Sequence, residues 1–318
     1  MKLNKLGILI GLAIVALFPF VVGDVYFHHM AILIGIYAMG AIAVNILLGF
    51  SGQLSLGHSA FVGLGAYTSA LLYLILKWPF WLCLVGGIVV SSIMGYIVAK
   101  ISLRLRGAYF VIMTIGVAQV LKLVALNWVS LTKGPMGLTD IGLPSYDLGF
   151  LGALDFSNKI IFYYLVAICV LMVFYIQYRL VNSSTGRAII SIRENEDLAE
   201  CLGINCYKFL VITVIVSAAI AGASGSLYCH YVSFLDPAIF EFFLSVNLVM
   251  MVVGGGQGTL TGPIIGAVLF TMIPEWLRVF GAGRMAVYSL IVIAIVVFMP
   301  RGINAYITKA WSLVRDRR

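Results

Sequence analysis

The sequence predicts an all-α integral membrane protein with about ten transmembrane helices. Of its 318 residues, 62% are hydrophobic and only 10% are charged, and the mean hydropathy is +1.09. Soluble domains carry roughly 25% charged residues, so this chain lacks the polar surface that a water-soluble globule of its size needs. A β-barrel would show alternating segments of about ten residues, whereas the apolar runs here are continuous.

The apolar runs divide the chain into ten segments, most of which reach the roughly 20 residues that cross a hydrocarbon core. They lie at residues 6–22, 30–50, 59–76, 80–99, 108–128, 159–178, 208–230, 241–254, 263–279 and 285–299. The eighth and ninth are short and flank the glycine-rich residues 254–258, so we expect broken or re-entrant helices there. The first follows Lys2 and Lys5, and we interpret it as a retained signal-anchor helix.

The distribution of Lys and Arg predicts the orientation of these segments. With the N-terminus in the cytoplasm, fourteen of the twenty basic residues fall on the cytoplasmic side. The positive-inside rule therefore predicts a multi-pass protein with both termini in the cytoplasm. The net charge of +8 is spread over loops that flank the membrane, so it implies no nucleic-acid partner.

Two polar, glycine-rich breaks interrupt the apolar pattern. The first holds five glycines between residues 49 and 65, and the second surrounds residues 254–258. An unpaired backbone group in hydrocarbon costs several kcal/mol, so such breaks survive only where protein or a watery cavity covers them. We interpret them as parts of a solute path, and their short sequence echo hints at an internal duplication. The candidate path residues are Ser51, Gln53, Ser55, His58, Thr114, Gln119, Asn247, Gln257 and Thr259.

The small and polar residues of these breaks also have a purely structural interpretation. Glycine, serine and threonine in membrane helices also allow close helix packing and hydrogen bonds between helices. His58 is then a structural histidine. Gln119 and Lys122 share one helix face, and a charge within a span is costly, so we expect Lys122 to snorkel outward or to form a structural ion pair.

The longest cytoplasmic loop, about residues 179–207, predicts a short helix with recognisable ends. Ser191 and Glu194 have capping-box spacing, Asn195 would cap a slightly later start, and Gly203 stands where a helix ends. Leu198, Cys201 and Leu202 form an apolar stripe. Such a helix fits docking into a groove on a partner protein, and a helix that lies on the membrane surface is the alternative.

Several long segments, in this order, resemble one family. They read GFSGQLSLGHSAFVGLGAYTSALL, RGAYFVIMTIGVAQVLKLVALNW, LTKGPMGLTDIGLP, GRAIISIRENEDLAECLGIN and FLDPAIFEFFLSVNLVMMVVGGGQGTLTGPIIGA. The chain is similar to the branched-chain amino-acid permeases of bacterial ABC importers, and within them to the LivM-type subunit. The resemblance implies a type II-like importer permease, with residues 1–318 as a single transmembrane domain in the bacterial cytoplasmic (inner) membrane.

The resemblance also implies a non-enzymatic subunit that moves branched-chain amino acids into the cytoplasm by alternating access. Its partners would be a paralogous, LivH-like permease, two cytoplasmic ATPase subunits, and a periplasmic or tethered amino-acid-binding protein. The segment that matches the family's ATPase contact contains Gly186, Arg187, Arg193, Glu194, Asn195, Leu198, Ala199, Leu202 and Gly203. Two departures from the family pattern are Ala108 and Gln119, where many members carry acidic residues.

The chain contains no G-x-x-x-x-G-K-[ST] motif that would cradle phosphates, so ATP and Mg²⁺ are expected on the partner ATPases and no cofactor on this chain. A permease for urea or short-chain amides shares the same motifs and remains an alternative substrate class. A secondary carrier would want a carboxylate buried in the middle of a span, whereas every acidic residue here falls near a span end or in a loop. A passive channel would not need the docking loop.

Overall fold

The computed structural model describes residues 15–19, 23–103, 107–142, 145–147, 153–155, 158–299 and 302–305. Within them the chain is helical apart from its connections and one short ladder. The main helices are α1 (Val25–Val44), α2 (His58–Leu76), α3 (Phe80–Ser102), α4 (Ala108–Asn127), α5 (Val129–Thr132), α6 (Lys159–Asn182), α7 (Ser184–Glu194), α8 (Glu196–Cys201), α9 (Cys206–Val232), α10 (Phe242–Gly255), α11 (Gly262–Trp276) and α12 (Arg284–Phe298).

Six of these helices are long and apolar enough to cross a membrane: α1 with its continuation to Phe50, α2, α3, α4, α6 and α9. Three shorter apolar helices, α10, α11 and α12, follow. Together they match nine of the ten predicted segments. The predicted signal anchor, residues 6–22, lies outside the described residues except for the helical residues 15–19.

The shorter helices agree with the expectation of broken segments. The 14 residues of α10 rise about 21 Å, which is less than a hydrocarbon core of about 30 Å. Helix α11 carries Pro274 inside its last turn. A 3-10 segment, Leu277–Gly283, then leads into α12.

The connection between α4 and α6 contains the two described strands. Strands β1 (Ser145–Asp147) and β2 (Ala153–Asp155) pair in antiparallel register. Leu138 also forms an isolated bridge with Leu235, in the loop after α9. These contacts join the two loops at one end of the bundle.

The centre of the bundle is formed by α9 packed against α2, α3 and α1, and close backbone approach makes that packing possible. A Cβ on Gly65 would overlap the backbone of Gly222, and a Cβ on Gly225 would overlap the carbonyl group of Val62. The Ser226 hydroxyl donates to the Gly65 carbonyl at 3.1 Å. Small residues and interhelical hydroxyl bonds replace the hydrophobic effect as the source of helix association in lipid.

The loops separate to two ends of the bundle as the alternating topology requires. At one end, Arg193 of α7 reaches the residues that follow α1, and Gly302 lies against Gly256. At the other end, His230 near the end of α9 bonds the Gly142 carbonyl at 2.9 Å. Which end faces the cytoplasm stays a prediction from the basic residues.

Replacing Gly225 with Ala should destabilise the bundle, because the added methyl group meets rigid backbone at Val62 rather than a movable side chain. Overpacking of this kind costs about 1–3 kcal/mol, and thermal unfolding of the detergent-solubilised protein measures it. Gly116→Ala in α4 is the matched control, since nothing lies within 4 Å of its added Cβ. Equal midpoints for the two variants would contradict the packing described here.

Candidate functional site

The first polar break lies within the depth of the bundle. Helix α1 continues as a π-helical turn, Asn45–Phe50, and the chain then reverses through Gly52, which has a φ of +74°. His58, the first residue of α2, bonds the Ser217 hydroxyl through Nε2 at 2.8 Å. Ser217 is eleven residues into α9, which places it about 16 Å from the start of that helix.

A hydrogen bond holds His58 in place at this position. The Ser217 hydroxyl donates its hydrogen to the Ala43 carbonyl at 2.7 Å, so His58 Nε2 must donate to the serine oxygen. The imidazole is fully buried. It ties the start of α2 to α1 and α9, which favours the structural interpretation of this residue over a solute contact.

The second break has the same form as the first. Helix α10 ends at Gly255, and Gly256 and Gly258 have positive φ values of +126° and +71°. The Thr259 hydroxyl closes the turn, because it donates to the Gly256 carbonyl at 2.7 Å and accepts from the Gly262 N–H at 3.0 Å. In both breaks a helix ends, a glycine with positive φ is followed by a glutamine, and a new helix begins.

Asn45 joins the two breaks. Its side-chain amide donates to the Thr259 carbonyl at 2.9 Å and accepts from the Gly258 N–H at 2.9 Å, and the residue is fully buried. The sequence analysis did not single out Asn45. The sequence did indicate a structural role for Asn45, because burying a carboxamide among apolar span residues costs free energy unless the group is hydrogen-bonded.

Arg193 of the predicted docking loop reaches the same place. Its Nη1 donates to the Gly49 carbonyl at 2.6 Å, and a Cβ on Gly258 would lie 2.8 Å from that nitrogen. The carbonyls of the last helical turn have no partner within the helix, and a charged donor there forms a strong hydrogen bond. We call Asn45, Gly49, Arg193, Gly258 and Thr259 the polar joint.

The docking loop is a hairpin of two short helices rather than the one helix predicted. Ser183 caps α7 by accepting from the Gly186 N–H at 3.1 Å. Asn195 caps α8 by accepting from the Leu198 N–H at 3.0 Å, as one of the two expected starts required. The prediction of a capping box at Ser191 and Glu194 is wrong, because Ser191 lies inside α7 and its hydroxyl donates to the Ala188 carbonyl.

The hairpin presents two different faces. Ile192 and Ala199 are buried with Leu210 at the base of α9, so the hairpin is fixed to the bundle. Leu198 and Leu202 are 59% and 74% exposed. Gly203 ends the second helix with a φ of +82°, as its predicted position requires. Two leucines therefore point away from the bundle at the end that carries the polar joint.

The other coupling candidates sit on the same hairpin. Gly186 is buried in the first turn of α7, where a Cβ would overlap the carbonyls of the preceding helix. Arg187 and Glu194 are exposed. The hairpin thus exposes charged groups as well as the apolar pair Leu198 and Leu202.

The candidate path residues fall into two groups. The hydroxyls of Ser51 and Thr114 donate to backbone carbonyls of their own helices, and Ser55 accepts from the Gly57 N–H at 3.3 Å. These three groups stabilise local turns. Gln53, Gln119, Asn247 and Gln257 instead have partly or fully exposed side chains.

Two of the amides, Gln53 and Gln119, lie in different surroundings. Gln53 lines an open cleft with Ala108 and Val111 at the start of α4. Gln119 lies one helical turn from Lys122, and Lys122 Nζ pairs with Glu241 Oε1 at 3.1 Å. The ion-pair interpretation of Lys122 is therefore confirmed.

Comparison with known proteins agrees with this architecture. The family model described as the permease component of branched-chain amino acid transport systems matches residues 26–300. The chain is 31% identical to the high-affinity branched-chain amino acid permease protein LivM of Salmonella typhimurium, over 94% of this chain and 75% of the relative. Identity to LivM of Escherichia coli K12 is 30% over the same shares.

A second type of relative also matches. LivH of Escherichia coli K12, a permease protein of the same kind of transport system, is 26% identical over 73% of this chain and 79% of its own length. No solved structure matches the chain. A helical membrane bundle with two glycine-rich breaks, matched by the family model over most of its length, belongs to the family of branched-chain amino acid transport permeases.

Proposed function

We propose that the chain is one transmembrane permease of a bacterial ABC importer that moves branched-chain amino acids into the cytoplasm. It pairs with a LivH-like permease, receives solute from a binding protein outside the membrane, and docks two cytoplasmic ATPases. The substrate class is that of the relatives. No group of three or more His, Cys, Asp or Glu among the described residues is placed to hold a metal ion, and ATP and Mg²⁺ belong to the ATPases in this proposal.

The polar joint is the observation that carries the proposal. An importer must convert movement of a cytoplasmic motor into a change in the membrane helices. Arg193 belongs to the exposed hairpin, yet it bonds the carbonyl of Gly49 inside the first break. Through Asn45, that break is bonded to the second. A displacement of the hairpin is thus transmitted to both broken helices by direct bonds.

The mechanism follows from these contacts. ATP-driven closure of the ATPases shifts the hairpin, and the two breaks change their positions relative to α9. A ligand or a motor biases such a two-state element only by binding one state better than the other. In this proposal the ATPases bind the hairpin more tightly in one of the two states, and the two breaks act as the hinge.

The complete complex is reconstituted with its cytoplasmic side facing the vesicle interior, which contains ATP, and the binding protein is added outside. These proteoliposomes should accumulate radiolabelled L-leucine against its gradient. The permease alone should accumulate none, because it lacks a nucleotide-binding motif. A proton or sodium gradient should not replace ATP. Uphill uptake by the permease alone under a cation gradient would overturn the proposed function.

Changing Leu202 to Glu should weaken the capture of the ATPase subunits by the purified permease pair. A carboxylate at a position that is 74% exposed leaves the fold intact but must be desolvated when the partner covers it. Co-purification on size-exclusion chromatography measures the loss. Met136→Glu, 84% exposed at the opposite end of the bundle, is the matched control, and equal retention of the ATPases in both variants would refute docking at Leu202.

Changing Arg193 to Ala should lower the amount of leucine imported per ATP hydrolysed by about tenfold or more. A hydrogen bond to a charged group contributes about 1.5–3 kcal/mol, and 1.4 kcal/mol corresponds to a factor of ten. Uptake and phosphate release are measured on the same proteoliposomes. Lys208→Ala, an exposed cation near the start of α9, should keep the wild-type ratio; an unchanged ratio for Arg193→Ala would exclude the transmission described here.

A further inference from the structure

A cleft of about 200 Å³ opens at the end of the bundle opposite the docking hairpin. Its mouth is formed by the loop after α9, where Phe234 and Ala238 are exposed. Its walls come from α1, α2, α9 and α10, and its lining includes no residue of the polar joint and none of the candidate path residues.

The walls of the cleft combine apolar and polar groups in the proportions of a small-molecule site. Ile36, Leu244 and Leu248 supply apolar surface, whereas Tyr37 and Tyr228 supply phenol groups. Among the described residues, neither phenol has a hydrogen-bond partner. Small-molecule sites are mostly apolar with a few polar groups that fix orientation.

Asp236 is the one charged residue in the lining of the cleft, and it lies at the mouth. Its Oδ1 accepts from the Ala238 N–H at 3.2 Å, which holds the side chain in place and leaves the negative charge unneutralised by that neutral donor. A carboxylate favours a ligand with an ammonium group, because charge-assisted hydrogen bonds are the strong ones. The phenols can donate to a carboxylate of the same ligand.

From this arrangement we infer that the cleft is a binding site within this subunit for a small zwitterion with an aliphatic side chain. Asp236 binds its ammonium group, the two phenols bind its carboxylate, and the aliphatic side chain lies against Ile36, Leu244 and Leu248. The inference rests on the proposed function and adds an entry site for the amino acid.

Helix α10 connects this site to the joint. Leu244 and Leu248 line the cleft, and the same helix ends at Gly255, directly before the second break. A movement of the break during the transport cycle therefore displaces one wall of the cleft. The 14 residues of α10 thus connect the cleft with the second break of the polar joint.

The test uses the complete complex in proteoliposomes and radiolabelled L-leucine. Asp236→Asn removes the charge but keeps the oxygen that bonds Ala238, and Ala238→Trp fills the mouth from an exposed position. Both should lower the initial uptake rate at least tenfold. Asp140→Asn, an exposed carboxylate outside the cleft whose φ of +60° asparagine tolerates, and Met136→Trp, at an 84% exposed position outside the cleft, are the matched controls and should retain the wild-type rate.

A second readout separates solute entry from docking of the binding protein. ATP hydrolysis stimulated by the binding protein should stay within about twofold of the wild-type rate in both variants. Wild-type uptake by either Asp236→Asn or Ala238→Trp overturns the inference, and so does a parallel loss of stimulated hydrolysis, which would assign the loop to docking. Failure of the wild-type complex to import leucine would instead reject the proposed function itself.

Discussion

Backbone groups that lie within a membrane must find partners inside the protein, and the two broken helices of this chain meet that requirement through each other. Asn45 satisfies an N–H and a carbonyl of the second break. Arg193 satisfies a carbonyl at the end of the first. Neither break is completed by its own segment alone. The need to pair backbone groups thus connects the breaks to one another and to the hairpin of α7 and α8.

The rest of the bundle holds this joint in position. Close approach of α9 to α2 depends on facing glycines such as Gly65 and Gly222, and hydroxyl groups bond carbonyls of neighbouring helices at the same contacts. His58 adds a fixed point, since its bond to Ser217 holds the start of α2 beside α9. These polar side chains bond to neighbouring helices, and the solute contacts in our proposals fall on other side chains, which line the cleft.

Two sites at opposite ends of the bundle share one mechanical element. The cleft beside Asp236 is walled by α10, and the joint lies immediately beyond the end of that helix. The exposed Leu198 and Leu202 lie on the hairpin that carries Arg193. In the proposed complex, contacts within this one subunit would link the surface that receives the ATPases, the hinge and the entry site, and the sister permease would complete the path.

The sequence by itself determined the membrane class, nine apolar segments, the location of both breaks and the Gly203 helix end, because these follow from hydropathy and local backbone chemistry, and it offered Asn195 as one of two possible caps. It did not determine the Ser183 cap or the role of Asn45, and it placed a capping box at Ser191 where the helix in fact continues. Only the tertiary structure decided which residues meet. Asn45 and Gly258 are more than two hundred positions apart, and no local pattern encodes that a carboxamide on one helix satisfies the backbone of another.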